Sequence, residues 1–159
     1  MVTLNRGLLM ALTPAGSSDP EAEAIRKTVL DYVESCYTWD GPRMKRALHP
    51  NLVKRTVWTD PKTDRSKMHE YSAPNLIRDT QSGWGERKAH GERTPVSQRQ
   101  KDMVILDRFK DMAVVRTEAN WGIDYLGLAK FNGKWKIVNV LWRHKGNEEG
   151  RLLPKWHPK

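Results

Sequence analysis

The chain has 159 residues, 38% of them hydrophobic, and a formal net charge of +9. That length supports one globular core and is short for two domains. No apolar run approaches the ~20 residues of a membrane-spanning helix, and a lone cysteine, Cys36, excludes an intramolecular disulfide framework. The positive excess does not read as a nucleic-acid footprint. Residues 1–40 carry three Lys/Arg against six Asp/Glu, and the later basic residues scatter over loops, strands and tail instead of forming a stripe interleaved with aromatics. The expectation is a basic solvated surface with no specific nucleic-acid partner and no membrane partner.

Along the chain, Arg6 precedes a short apolar run, Gly7 to Leu12, that falls below the roughly 7–15 residues of a secretory core. A reducing cytoplasm is therefore the expected compartment, with an exported form the lesser alternative. Residues 1–18 read as a flexible arm that ends in Pro14-Ala15-Gly16-Ser17-Ser18. Residues 19–143 read as the domain proper and residues 144–159 as a basic tail that Trp156 anchors. Asp19 caps a helix whose first turn holds Pro20, with Glu21 and Glu23 near the positive end of its dipole. Ile25, Val29, Tyr32, Val33 and Cys36 follow at helical spacing, so the cysteine reads as a packing thiol on an apolar stripe. Asp40 caps a second, short helix from Gly41 to Leu48, with Met44, Ala47 and Leu48 facing inward, and Pro50 closes it. Leu52 to Thr59 and Lys67 to Tyr71 read as a strand pair, and Ser72 caps a third helix through Leu76 and Ile77. Residues 81–93 lack periodicity and read as a long loop. Val96 to Phe109 reads as one long strand.

The most legible stretch is Asp111 to Trp142. Asn132-Gly133 between alternating runs predicts a type I′ hairpin, which pairs Phe131 with Lys134, Leu128 with Ile137, Leu126 with Asn139 and Asp124 with Leu141. A Gly122-Ile123 turn pairs Trp121 with Asp124, Ala119 with Leu126 and Thr117 with Leu128. A Lys110-Asp111 turn adds Leu106 opposite Val115, Val104 opposite Thr117, Asp102 opposite Ala119 and Gln100 opposite Trp121. Because side chains alternate along a strand, one face then carries a dry zone (Leu106, Val104, Val115, Leu128, Ile137, Trp135) and a polar zone (Asp102, Gln100, Trp121, Asp124, Asn139). The other face carries Met103, Ile105, Val114, Tyr125, Phe131, Val138, Val140 and Trp142 among Arg116, Glu118 and Lys136. That much apolar surface predicts a homodimer through the outer sheet face.

Helices gathered ahead of a meander indicate an α+β fold. The residues Ala24-Ile25 through Cys36-Tyr37, Met44 to Pro50, and Asp124-Tyr125-Leu126-Gly127-Leu128 followed by Asn132 to Asn139 resemble the putative lumazine-binding family of the nuclear-transport-factor-2-like (NTF2-like, SnoaL-like) superfamily. The resemblance spans about residues 20–143. It implies a cone-shaped barrel in which a curved antiparallel sheet wraps a long N-terminal helix, with two shorter helices, a cavity at the open end and dimers as the common assembly.

Buried carboxylates are tolerated only when bonded, hydrated or meeting a ligand, so the polar zone is the candidate site. The first reading is a small-molecule binder in which Trp121 stacks on a hydrophobic or aromatic ligand, Asp124, Asn139 and Gln100 orient it, and Tyr32 and Leu126 line the pocket. The alternative is a cofactor-independent isomerase, cyclase or dehydratase in which Asp124 or Asp102 is the general base, assisted by His49 or Tyr32. Ketosteroid isomerases, which share the superfamily fold and are a standard worked case of this chemistry, lend it plausibility. A third reading is a protein-interaction module. His49 also reads as a cap at the end of the second helix. No cofactor is implied, and the five histidines show no ligand pair at metal-binding spacing.

Overall fold

A computed structural model describes residues 19–83 and 93–145. The expectations for the N-terminal arm, for most of the 81–93 loop and for the tail with Trp156 lie outside the described residues.

Helix α1 (Pro20–Thr38) forms as its caps and stripe dictate. Asp19 Oδ1 accepts from the backbone N–H of Glu21 and Ala22 at 3.0 and 3.2 Å, and Trp39 ends the helix in the left-handed region at φ 59. Ile25, Val29, Tyr32 and Val33 are buried, and Cys36 packs against them from the edge. In helix α2 (Gly41–Ala47) the Asp40 carboxylate accepts from Arg43 N–H at 2.8 Å. Strands β1 (Leu48–Thr59) and β2 (Ser66–Ser72) follow, then α3 (Ala73–Gln81), which Ser72 caps. Of the long strand expected over Val96 to Phe109, the first part is a 3-10 turn at Val96–Gln98, and only β3 (Lys101–Phe109) is extended. The meander continues through β4 (Met112–Ala119), β5 (Gly122–Phe131) and β6 (Lys134–His144).

The six strands form one sheet in the order β2-β1-β6-β5-β4-β3. Every neighbouring pair is antiparallel except β1 and β6, which run parallel. Helix α1 touches both β6 and β3, strands separated by two others, so the sheet curves around it. The core of Ile25, Val29, Val33, Met44, Leu52, Val115, Leu126, Leu128, Ile137 and Val140 fills the concavity.

The Asn132-Gly133 turn has positive φ at both central residues, 49 and 77, and pairs Phe131 with Lys134 and Leu128 with Ile137 as the sequence predicts. Beyond that, three differences reset the register. First, the turn between β4 and β5 is Asn120-Trp121, with Ala119 opposite Gly122. Gly122 is needed elsewhere: a Cβ there would lie 2.1 Å from the Arg143 carbonyl oxygen, so this glycine allows the backbones of β5 and β6 to approach. The turn moves by two residues and every pairing by four, an even number, so both strands keep their faces, and Thr117 lies opposite Asp124.

Second, β6 bulges at Val138, so that Gly127 pairs with Asn139 and Asp124 with Trp142. Asn139 turns outward, and its Oδ1 accepts from Gly127 N–H at 3.0 Å. A side chain at Gly127 would collide with it at 2.3 Å. After the bulge Val140 and Trp142 face the core and Leu141 faces out, the reverse of the sequence expectation. Third, β3 bulges at Leu106, which turns Met103 and Ile105 onto the core and leaves Val104, Leu106 and Asp102 outside. A bulge in an edge strand is a usual way of ending the ladder.

Candidate functional site

Asp124, the third residue of β5, is fully buried on the concave face, and three donors meet its carboxylate. Lys54 Nζ donates to Oδ1 at 2.7 Å, the Tyr32 hydroxyl donates to the same oxygen at 3.2 Å, and Trp121 Nε1 donates to Oδ2 at 3.0 Å. Lys54 Nζ also donates to the Tyr32 hydroxyl oxygen at 2.6 Å and sits 4.7 Å from the centroid of the Trp142 ring. The ion pair is therefore held inside the fold by a phenol, an indole N–H and an aromatic face. Burial first, and the charge of Asp124 second, push the Tyr32 phenol well above the usual range, so it stays protonated and serves as a donor.

Each member arrives by an ordinary local route. Tyr32 projects from the buried stripe of α1. Lys54 lies on the inward row of β1 between Leu52 and Thr56, all three buried, and pairs across the parallel ladder with Val140. Thr117 and Trp142 flank Asp124 on β4 and β6. Trp121, in the β4–β5 turn, tilts its ring against Tyr37 at 5.1 Å. The Tyr37 hydroxyl lies 2.7 Å from both the Gln100 carbonyl oxygen and Asn120 Oδ1, which share its one hydrogen, and this fixes that end of the site.

Among the residues singled out from sequence, the structure brings together Asp124, Tyr32, Trp121 and the buried Leu126. It does not bring the others to them. Asp102 is on the exposed face, where its carboxylate accepts from Gln100 Nε2 at 2.7 Å, because the β3 bulge reverses its side. Gln100 spends its side chain on Asp102 and Lys145. Asn139 is committed to the β6 bulge. His49 belongs to β1 and not to a helix terminus: it stacks on Phe131 at 4.5 Å, and its Nδ1 accepts from Asn51 N–H. Phe131 lies seven residues along β5 from Asp124, ~23 Å at the rise of an extended strand, which places His49 at the opposite end of the sheet.

Lys54, Thr117 and Trp142 are the site residues that sequence reasoning left out. The run Leu52-Val53-Lys54-Arg55-Thr56-Val57 places a base and apolar groups on both faces, so alternation alone does not choose between Lys54 and Arg55. The usable signal was the expectation of a buried carboxylate, which requires a cation or donor nearby.

The surface of the described residues holds several recesses, two of which are these. One, of about 210 Å³, lies against Ile123, Tyr125, Leu141, Trp142 and Arg143. The other, of about 360 Å³, lies between the start of α1 and β3. Neither is lined by Asp124, Lys54 or Tyr32, whose side chains pack directly on one another. Among the described residues no three His, Cys, Asp or Glu side chains converge to hold a metal ion, and no helix is long and apolar enough to cross a membrane.

With the helices, the curved sheet and the buried cluster in place, comparison with known proteins is direct. The sequence profile of the family described as putative lumazine-binding matches residues 20–143. The chain belongs to that family. The chain is also similar to solved NTF2-like proteins of unknown function. One from Methylobacillus flagellatus has a TM-score of 0.61 at 20% identity, covering 82% of this chain and 96% of its own. One from Silicibacter pomeroyi has 0.60 at 15%, covering 82% and 100%. One from Shewanella baltica has 0.59 at 16%, covering 83% and 99%. At these identities the likeness establishes the fold, the cone-shaped NTF2-like α+β barrel. No curated protein matches the chain.

Proposed function

We propose that this protein is a small-molecule binder that holds a hydrophobic or aromatic ligand on the concave face of its sheet, at the cluster of Asp124, Tyr32, Lys54 and Trp121. The observation that carries the reading is the buried charged cluster itself. An ion pair in an apolar interior is a poor stabiliser, since well-packed apolar residues of similar volume commonly do as well or better. Ligand sites are concave, mostly apolar surfaces with a few convergent polar groups, and the ligand would reach this cluster from Trp121, its half-buried outermost member.

The same geometry argues against the isomerase or dehydratase alternative. A general base needs a free lone pair near the substrate proton. Three of the roughly four acceptor positions of the Asp124 carboxylate are taken by an ammonium, a phenol and an indole N–H, and the group has no exposed surface through which a substrate proton could reach it. Native mass spectrometry of the freshly purified protein, before and after denaturation, tests the binding reading. A co-purified small molecule that leaves on denaturation supports it. An apo protein that shows no saturable uptake of planar aromatic compounds would count against it.

We also propose that two copies assemble through the outer sheet face, where the apolar groups are Val104, Leu106, Val114, Tyr125 and Leu141. Leu141 is 56% and Tyr125 46% exposed, a concentration that single chains rarely leave in water. Leu141→Lys and Tyr125→Lys are expected to give a monomer by light scattering. Val140 is buried and would report folding instead.

A further inference from the structure

The hairpin end of the sheet gathers apolar and basic side chains that lie far apart in the sequence. The β3–β4 and β5–β6 turns stand side by side there: Met112 pairs with both Phe109 and Ala129, and Lys130 N–H donates to the Asp111 carbonyl oxygen at 2.8 Å. Phe109 is 61%, Met112 56% and Phe131 41% exposed, so three large apolar side chains meet water on two neighbouring tips. Basic groups surround them. The Lys110 ammonium lies 5.3 Å from the Phe109 ring centroid, and Lys134 sits across the ladder from Phe131. Lys136 donates to the Arg46 carbonyl oxygen in the last turn of α2, 90 residues away in the chain. Burial first, then the like charges of Lys134 and Arg46, lower the Lys136 ammonium below its usual range. Asp19 and Glu21 are taken by Arg108 and Lys130, and Asp31 by Arg43 and Arg46. Asp107 and Asp111 are the other acids beside the tips, and Lys110, Lys134 and Lys136 form no ion pair with a carboxylate of the described residues.

We propose that this end of the sheet docks on an anionic lipid bilayer, with Phe109, Met112 and Phe131 entering the headgroup region and Lys110, Lys134 and Lys136 meeting lipid phosphates. Such docking needs neither a spanning helix nor a run of adjacent bases, the two features whose absence underlies the expectation of no membrane partner. Exposed apolar patches rimmed by polar groups mark interaction surfaces, and shape and charge select the occupant. Small-molecule sites are concave, whereas these side chains stand on turns and line neither recess described above. A second copy meeting this end symmetrically would set the same cations against one another. A bilayer accepts apolar tips without a matching pocket. The lysine stems then lie along its apolar boundary while the ammonium groups reach the phosphates.

Co-sedimentation of the full chain with sucrose-loaded vesicles tests this, using phosphatidylcholine alone and two parts phosphatidylcholine to one part phosphatidylserine. The chain is expected to bind the mixed vesicles about tenfold or more tightly than the neutral ones and to leave them as salt is raised. Lys110→Gln/Lys134→Gln should weaken that binding about 30-fold, at about fivefold for each lysine near the surface. Phe109→Ser/Met112→Ser should weaken it about tenfold through lost apolar burial. The same charge change in the β1–β2 turn at the opposite end of the sheet, Lys62→Gln/Arg65→Gln, should weaken it by less than about threefold. All six positions are exposed, and far-UV circular dichroism matched to the unsubstituted chain controls for folding. Equal binding to both vesicles, or binding to neither, would overturn the proposal. Equal losses from the two basic pairs would overturn the assignment to this end, since net charge alone would then act. A loss with the lysine pair but none with Phe109→Ser/Met112→Ser would make this a surface for polyanions such as nucleic acid, and the lipid assignment would fall. A Phe109→Ser/Met112→Ser chain that turns monomeric by light scattering while the unsubstituted chain is dimeric would put a second copy on the tips and overturn it as well.

Discussion

Replacing Asp124 by Asn keeps the side-chain shape and removes the charge that balances Lys54. The Lys54 side chain is 9% exposed and that of Asp124 0%, so in Asp124→Asn the ammonium stays inside with a phenol oxygen and at best an amide oxygen to accept from it. Breaking a buried pair by removing one partner costs ~3–5 kcal/mol, against a total stability of about 5–15 kcal/mol for an ordinary domain. For a chain of this length that is a fall in Tm of roughly 6–20 °C, at ~2–4 °C per kcal/mol. The control is the double replacement Lys54→Met/Asp124→Leu, which removes both charges and fills the same space. It is expected to recover at least ~2 kcal/mol of the loss, because apolar substitution of a whole buried pair is often neutral or better. Tyr32→Phe should fall between the two, at ~1–2 kcal/mol, since it deletes one donor and one acceptor in a low-dielectric network. Urea unfolding followed by tryptophan fluorescence measures all three, with Trp121 and Trp142 reporting from the site. An Asp124→Asn loss below ~1 kcal/mol, or a double variant no more stable than the single, would refute the reasoning, since either would mean that the ammonium finds water.

Three further outcomes follow from the same geometry. Gly122→Ala places a methyl 2.1 Å from the Arg143 carbonyl oxygen, whereas at Gly133 nothing lies within 4 Å and only φ 77 is at stake. Thermal denaturation should therefore show about 3 kcal/mol lost at Gly122 against ~1 kcal/mol at Gly133, and equal losses would contradict the close approach of β5 and β6. Glu118 is held at a pKa of about 2 by hydrogen bonds from Lys145 and Arg116. A depressed carboxylate contributes stability above its unfolded value, and that contribution is lost as pH falls from about 4.5 towards about 2. A ¹³C titration should find this carboxyl still ionised at pH 3, and Glu118→Gln should flatten the pH dependence of stability in that window. Thr117→Val replaces a buried hydroxyl that has no partner with a methyl. The ligand-free protein should gain ~1 kcal/mol in urea, and a loss would show that the hydroxyl is bonded.

How far the site was legible depended on where each contact lies along the chain. Tyr32 followed from helical spacing, and the inward side of Asp124 followed from the Asn132-Gly133 turn, because a two-residue turn sets the parity of both strands beside it. The misread turn before Gly122 did no harm to the faces, since a register change of four residues preserves that parity. The two bulges did. One extra residue at Val138 exchanged Leu141 for Trp142 as the neighbour of Asp124, and one at Leu106 put Asp102 in solvent. Neither bulge has a residue pattern of its own in the strand that carries it. The Asn139 bulge is written partly in β5, as the glycine at 127 that makes room for the Asn139 side chain.

The sequence by itself determined the α+β class, the caps and apolar stripe of α1, the type I′ hairpin and the inward side of Asp124, all of which are set by patterns and turns among residues near one another in the chain. Only the tertiary structure decided that β1 runs parallel to β6 and so carries Lys54 to within 2.7 Å of a carboxylate 70 residues away. The physical reason is that strand pairing across such a separation is chosen by the packing of the whole sheet around α1, whereas alternation within a strand fixes only which residues share a face.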